Sequence, residues 1–190
     1  MSEENPISIH GSGATLAKLA VAESSGHWPI PEGTVLAPSW KRVAAFMLDW
    51  IFIMSILNLV TSWRILDAWS ITVLTSSQWW VVLVDWAIIL ACSYLYHKYL
   101  PNAWGRTLGQ RWFGLAVLRE DGERLSREAC GTRSFRKLGY TIPIIQLVFA
   151  FIDLRHITRR HTHQSSIDLH VASIVVVADS LPPAKRKHLR

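Results

Sequence analysis

A continuous apolar stretch after Lys41 constrains the fold more than any other feature of the chain. It covers residues 43–63 and contains a single charged residue, Asp49. An α-helix rises about 1.5 Å per residue, so this stretch would be roughly 30 Å long, which is the thickness of the hydrocarbon core of a bilayer. The sequence therefore predicts a first transmembrane helix here.

Asp49 needs a polar neighbour in such a helix. A carboxylate at the centre of a transmembrane helix costs about 2.5–3.5 kcal/mol on insertion scales. Arg42 precedes Asp49 at a spacing that puts both side chains on one face of the helix, roughly 10 Å apart. We expect this face to point towards protein, water or a cation, and away from lipid.

The composition is that of an integral membrane protein. Half of the 190 residues are hydrophobic and the mean hydropathy is positive, yet the chain carries 20 lysine and arginine residues and a net charge of +6. The basic residues flank the apolar stretches, so we attribute them to loops and to contact with the anionic headgroups of a lipid bilayer. We expect no nucleic-acid binding, because the basic residues form no separate basic face.

A second transmembrane helix is predicted from Trp79 to Leu100, and it also contains an acid, Asp85. The segment 102–139 that follows is rich in arginine, whereas the loop between the two apolar stretches has only Arg64. The positive-inside rule therefore places residues 102–139 and the N-terminus in the cytoplasm. We expect five tryptophans near the helix ends to anchor the chain at the two interfaces: Trp40, Trp63, Trp79, Trp80 and Trp104.

The basic segment itself contains two predicted elements. Residues 115–125 form a strand-like run with the turn signal Asp121-Gly122, and residues 126–138 have the pattern of a basic amphipathic helix on the membrane surface. Five cations of this part of the chain are candidates for contact with lipid headgroups: Arg106, Arg111, Arg133, Arg136 and Lys137.

The third apolar stretch, residues 140–154, is short and contains Pro143 near its start. Its roughly 15 residues fall below the roughly 20 that a helix needs to cross a bilayer. It either crosses by borrowing residues 135–138 or re-enters as a broken helix. We favour re-entry, because basic residues crowd both flanks and residues 171–177 could then pair with the strand near Val117.

The expected fold is thus an all-α membrane protein with a small cytoplasmic β element. It has two transmembrane helices and a third, short, proline-broken transmembrane or re-entrant helix. We divide the chain into a polar cytoplasmic tail (residues 1–38), a membrane domain (39–178) and a basic C-terminal tail (179–190).

Three blocks of sequence, in this order, resemble the RDD family of small bacterial membrane proteins. The first is Arg42-Val-Ala-Ala-Phe-Met-Leu-Asp49 in the first predicted span. The second covers residues 105–122 and includes Gly105-Arg-Thr-Leu-Gly109, and the third covers residues 159–176. The family is named for one arginine and two aspartates, and these correspond here to Arg42, Asp49 and Asp168.

The resemblance implies a small bacterial membrane protein with a proposed transport role, since some members are linked to cation/proton exchange. We expect this chain in the bacterial inner membrane. It implies no enzyme. This chain departs from the family pattern at Gln110, where the family has lysine, and at residues 169–173, where the family has Leu-Ala-Gly-Thr. Asp85 is an addition of this chain.

The charged residues of the spans admit a structural and a functional interpretation. Arg42, Asp49, Asp85 and Asp168 form a candidate polar cluster that either pins the first helix to the C-terminal segment or serves as an ion path. Four histidines near the end of the chain have no spacing typical of a metal site: His156, His161, His163 and His170. We expect neither a metal nor another cofactor.

The favoured function is that of a non-enzymatic accessory or assembly subunit of a larger membrane-protein complex. Trp50 and Trp86 lie within the spans and would form part of the contact surface. The alternative is a cation or proton transporter that uses Asp49 and Asp85 as carriers. It would work as a homo-oligomer, because three short helices enclose little volume for a pathway.

Overall fold

The structure, a computed structural model, describes four parts of the chain: residues 34–120, 122–159, 164–186 and 189. Helix α1 is Ser39–Val60. A 3-10 helix, Arg64–Trp69, and the short helix α2, Ile71–Leu74, lead to helix α3, Trp79–Trp104. Both α1 and α3 are long and apolar enough to cross a membrane, which confirms the two predicted spans.

Helices α1 and α3 each bury one narrow stripe. The buried residues of α1 recur at every fourth position: Ala45, Asp49, Ile53 and Leu57. Residues at this spacing lie on one face of a helix. Ala45 packs on residues that follow α3 in the chain, among them Leu115 and Val117, whereas Ile53 and Leu57 face α3. In the half of α1 that lies away from Arg42, Ile53 and Leu57 join Ile89 of α3 and two residues of the 3-10 helix in one apolar cluster.

A small antiparallel sheet follows α3. The chain passes through the one-turn helix α4, Leu108–Trp112, into strand β1, Leu115–Arg119. Strand β1 pairs with strand β2, Ser173–Val177, so that Val117 faces Val175. The predicted pairing of the two strand segments is therefore confirmed, and the fold class with it.

Residues that were predicted to belong to the two tails also contact the sheet. Leu36 forms a β-bridge with Val176, and the N–H group of Ala37 donates to the carbonyl of Val175 at 2.9 Å. Leu181, only 1% exposed, packs in the core of the same sheet. The folded unit thus begins before residue 39 and ends after residue 178, because main-chain hydrogen bonding and apolar burial extend it at both ends. Most of the predicted N-terminal tail lies outside the described residues.

The third apolar segment is broken, as predicted. Helix α5, Arg127–Lys137, begins at the capping residue Ser126 and continues through a 3-10 turn, Leu138–Tyr140, to helix α6, Pro143–Arg159. The stretches Arg127–Tyr140 and Ile145–Thr158 differ in direction by 118°. A proline has no N–H group and stops a helix from extending backwards, which explains a break at this position.

Both flanks of the broken segment lie at one end of α1. Helix α6 is followed by the one-turn helix α7, Ser166–His170, and then by β2. Strand β2 contacts residues 35–37, immediately before α1, and Arg133 of α5 pairs with Asp168 of α7. The chain after α6 returns to the end at which α5 began, as it does in a re-entrant segment. A last short helix, α8, is Pro183–Arg186.

Candidate functional site

Arg42 connects three segments at the beginning of α1. Its guanidinium donates to the carboxylate of Asp168 at 3.0 Å, to the carbonyl of Ala37 at 3.1 Å and to the carbonyl of Val175 at 3.2 Å. The planar guanidinium has five N–H donors in a fixed arrangement, so it can hold several acceptors at once. Arg42 therefore joins α1, α7 and β2.

Asp168 is buried and has two cationic partners. Arg133 of α5 forms a second ion pair with it and also donates to the hydroxyl of Ser173 at 2.6 Å. Asp168 also completes a capping box at the start of α7, where it and Ser165 accept each other's backbone N–H groups. Burial alone would raise the pKa of Asp168, but Arg133, Arg42 and Ser165 outweigh it and hold the pKa below its usual value.

Asp49, the second acid of the predicted cluster, has its own set of donors. It accepts hydrogen bonds from the hydroxyl of Tyr96 at 2.6 Å, from the hydroxyl of Thr107 at 2.6 Å and from the backbone N–H of Gly109 at 2.7 Å. Asp49 is 1% exposed. A buried carboxylate with three such donors fixes the position of α3 and α4 against α1.

Gly109 is required for the close approach of α4 to α1. A Cβ atom at this position would lie 2.0 Å from the carbonyl oxygen of Ala45 and 2.9 Å from a carboxylate oxygen of Asp49. Only glycine leaves room for the backbone contact. The motif Gly105-Arg-Thr-Leu-Gly109 thus provides two of the three donors to Asp49, the side chain of Thr107 and the backbone N–H of Gly109.

Asp85 does not join this cluster. It is buried on α3, eleven positions or roughly 16 Å along the helix from Tyr96. The charged groups that act on it belong to the 3-10 helix, namely Arg64 and Asp67. Its Oδ2 atom is buried and has no hydrogen-bond partner in the described part of the chain. The predicted four-residue cluster is therefore split between the two ends of the long helices.

A cavity of about 170 Å³ opens between α1 and α6 beside the ion-paired cluster. The apolar part of its wall comes from both helices: Val43, Phe46, Met47, Ala150, Leu154 and Ile157. Its polar part includes three cations and three acids: Arg42, Arg133, Lys137, Asp49, Asp153 and Asp168. Asp153 accepts hydrogen bonds from the hydroxyl of Tyr140 and from the backbone N–H of Ser166.

Most side chains that bond to the buried acids of this region were not predicted from the sequence. Tyr96, Thr107, Tyr140 and Asp153 had no assigned role, although each contributes a side chain to a buried polar contact. Asp153 offered the clearest signal, because an acid near the end of an apolar stretch needs a partner as much as Asp49 does. The hydroxyl donors carry no comparable sequence signal.

The predicted headgroup cations differ in their surroundings. Arg111 and Arg136 are exposed, and Arg106 is half-buried. The side chain of Arg133 pairs with Asp168 and Ser173, because a buried carboxylate at α7 needs a counter-charge, and its contact with headgroups stays a prediction. Lys137 lines the cavity between α1 and α6.

The five predicted anchor tryptophans are all exposed. They lie where the long helices begin and end, and these are the positions at which interfacial tryptophans are enriched: Trp40, Trp63, Trp79, Trp80 and Trp104. Their role as anchors stays a prediction.

The histidines in the described part of the chain form no recognisable metal site. No group of three or more histidine, cysteine, aspartate or glutamate residues suited to a metal ion occurs within the described residues. His156 contacts the hydroxyl of Ser166 at 2.9 Å. His161 and His163 lie outside the described residues.

Comparisons with known proteins agree with the three-block resemblance. A family model described as "RDD family" matches residues 36–171, which is more than half of the chain. Neither a comparison with curated proteins nor one with solved structures finds a match. The matched region begins at Leu36, which forms a β-bridge with β2, and includes Arg42, Asp49 and Asp168. This chain, with two helices that can span a membrane, belongs to the RDD family of small membrane proteins.

Proposed function

We propose that this protein is a non-enzymatic accessory or assembly subunit of a larger membrane complex in the bacterial inner membrane. The observation that carries the proposal concerns the two aspartates typical of the family, because their carboxylates already have hydrogen-bond or ion-pair partners within the chain. Asp49 accepts three hydrogen bonds from the chain itself, and Asp168 pairs with two arginines. Acids held in this way serve the fold, which leaves the helix surfaces to carry the function.

The exposed surface of the long helices supports this role. In the apolar 18-residue stretch of each long helix, only 22% of α1 and 28% of α3 is buried within the protein. A continuous face of α1 presents large apolar side chains to its surroundings: Ile51, Phe52, Ile56, Leu59 and Val60. Lipid can cover such a face, and so can the helix of another membrane protein.

The contact surface differs from the one expected from the sequence. Trp86 donates from its indole N–H to the carbonyl of Ala68 at 2.9 Å and packs on Trp69, and Trp50 packs against the same apolar cluster. These two tryptophans have partners within the chain. We therefore assign the contact with a partner to the exposed face of α1.

The basic segments support an orientation with the N-terminus in the cytoplasm. The residues before α1, the sheet and α5 all lie at the same end of the long helices, and this end contains most of the arginines. The connection between α1 and α3 has only Arg64. This asymmetry is the one that the positive-inside rule describes.

Site-specific photocrosslinking in native membranes tests the subunit role. A photoreactive phenylalanine analogue at Phe52 or Ile56 should crosslink one stoichiometric partner of constant mass. The same analogue at Ile53, which is buried within the chain, should give none. Crosslinking only to lipid from both exposed positions, together with a lone monomer after gentle solubilisation, would refute the proposal.

A second candidate, an oligomeric cation or proton transporter with Asp49 and Asp85 as carriers, is favoured by one observation. The Oδ2 atom of Asp85 is buried without a hydrogen-bond partner in the described residues, as is Oδ1 of Asn58. Buried, unpartnered oxygens on membrane helices are typical of proton and cation pathways. Proteoliposomes with a pH-sensitive dye test this function: an imposed sodium or potassium gradient should drive a pH change that Asp85→Asn abolishes and Asp67→Asn retains.

A further inference from the structure

The cavity between α1 and α6 has an apolar mouth and a charged floor. Val43 and Met47 of α1 and Leu154 of α6 line it and are each more than 40% exposed, so the cavity opens on the apolar surface of the helices. The charged and polar side chains lie at the end where Arg42 pairs with Asp168. A ligand that enters from the side would meet apolar walls first and charges last.

The acids of the floor are already bonded by the chain. Asp168 has two arginines, Asp49 has three hydrogen-bond donors, and Asp153 accepts from Tyr140 and from the N–H of Ser166. None of these three carboxylates needs a cationic ligand to be satisfied.

Lys137 is the exception among the charged groups of the floor. Its side chain is half-buried and lies in the field of Asp49 and Asp168, yet its ammonium group makes no direct hydrogen bond or ion pair with the described part of the chain. A charge removed from bulk water without a partner is costly, and an ammonium group has three donors to satisfy. A phosphate oxygen in the cavity would accept hydrogen bonds from these donors directly.

We propose that the cavity binds one anionic phospholipid, with its phosphate on Lys137 and the first part of one acyl chain between α1 and α6. The volume, about 170 Å³, is below the roughly 300–1,000 Å³ of pockets that enclose a whole drug-sized ligand. It suits a headgroup phosphate and a few methylenes, while the rest of the lipid stays in the bilayer along Met47 and Leu154. This bound lipid is independent of the proposed subunit role.

Thermal unfolding of the purified, delipidated protein in detergent tests the site. Titration with phosphatidylglycerol should raise the melting temperature with the logarithmic dependence on lipid concentration expected of one site, and phosphatidylcholine should have no such effect. Lys137→Gln should weaken the apparent affinity at least about tenfold, the lower limit for the loss of one charge-assisted hydrogen bond. Lys137→Arg should retain most of the affinity.

The matched control is Arg136→Gln, which removes the same charge from the neighbouring, exposed position of α5. It should leave the titration unchanged. Equal losses in the Lys137 and Arg136 variants would show attraction to the whole basic surface and overturn the proposal. Stabilisation by inorganic phosphate alone, with the same dependence on Lys137, would overturn it in favour of a free anion.

A second pair of variants serves if Lys137→Gln fails to fold. Ala150→Trp places a large ring on the exposed rim of the cavity on α6, and it should abolish the stabilisation by phosphatidylglycerol. Leu147→Trp changes an exposed residue of the same helix outside the cavity, and it should bind as the wild type does. Unaltered binding in Ala150→Trp would also refute the site.

Discussion

The carboxylate of Asp168 lies 3.0 Å from the guanidinium of Arg42, although 126 positions separate the two residues in the chain. The pair joins the beginning of the first long helix to the turn before the last strand. Arg133, from a third segment, contacts the same carboxylate. The arginine and one of the two aspartates typical of the family thus meet directly, and they do so at the boundary between the helices and the sheet.

Removing one member of this pair should destabilise the fold strongly. Asp168→Asn leaves Arg42 and Arg133 without their common counter-charge, and loss of one partner of a buried ion pair costs about 3–5 kcal/mol. Unfolding of the purified protein in a denaturing detergent would measure the loss. Arg111→Gln, at an exposed cation, is the control and should change the unfolding free energy by less than about 0.5 kcal/mol.

The contribution of Asp168 should depend on pH in a defined direction. Its pKa is lower in the folded protein than in the unfolded chain, where it is about 3.9. A depressed pKa stabilises the fold above that unfolded value, and the stabilisation is lost as the pH falls through the lower folded value.

Melting temperatures measured from pH 6 to pH 3 check this dependence. The difference between the wild type and Asp168→Asn should be constant down to about pH 4 and should shrink below it. A difference that grows towards acid would contradict the ionised state of Asp168 in the folded protein.

Gly109 and Gly131 should respond in opposite ways to the same change. Gly109→Ala introduces a Cβ atom 2.0 Å from the carbonyl oxygen of Ala45, so α4 must move and Asp49 must lose a donor. We expect destabilisation by at least about 2 kcal/mol. A Cβ atom at Gly131 would meet its nearest neighbour, on Lys98, at 3.7 Å, which is an ordinary contact.

Gly131→Ala should therefore be neutral or stabilising by up to about 1 kcal/mol, because alanine is the better helix former within α5. Thermal unfolding of the two variants beside the wild type makes the comparison. Similar melting temperatures for both would contradict the close contact between α4 and α1.

Tyr96→Phe should weaken the attachment of Asp49. The change removes the hydroxyl that donates to the carboxylate at 2.6 Å and keeps the ring. A hydrogen bond to a charged group contributes about 1.5–3 kcal/mol. Tyr99→Phe removes a hydroxyl from an exposed ring and should change the unfolding free energy little. Equal unfolding free energies for the two variants would show that Asp49 does not depend on Tyr96.

Cysteine labelling should place both flanks of the broken segment on one side of the membrane. In a background with Cys92 and Cys130 replaced, cysteines introduced at Glu128 and Asp179 should react with a membrane-impermeant maleimide from the same side. A cysteine at Thr75, in the connection between the long helices, should react from the opposite side. Labelling of the positions 128 and 179 from opposite sides would mean that α6 crosses.

The sequence predicts the apolar elements of this fold well, since hydropathy and length decide where a helix can cross a bilayer. The two spans, the proline break and the pairing of the strands near Val117 and Val175 all follow from local patterns. The resemblance of three blocks to one family also selects Arg42 and Asp168, which the structure brings together.

The partners of the acids could not be predicted in the same way. Asp49 and Arg42 share a helix face, yet Asp49 is satisfied by Tyr96, Thr107 and a backbone N–H, because α4 docks closely at Gly109. Such contacts depend on tertiary geometry, and hydroxyl groups give no periodic signal. The same limit explains why the pairing of Arg133 with Asp168 was not predicted.

The order in which a ribosome makes the chain gives the Arg42–Asp168 pair a further consequence. At about 5–20 residues per second, synthesis of the 126 positions that separate the two residues takes roughly 6–25 s. Throughout that interval α1 can already be inserted, while Arg42 and later Arg133 lack their common anion. A nascent chain halted before position 168 should therefore be sensitive to proteases at the beginning of α1 and should become resistant once the aspartate has emerged.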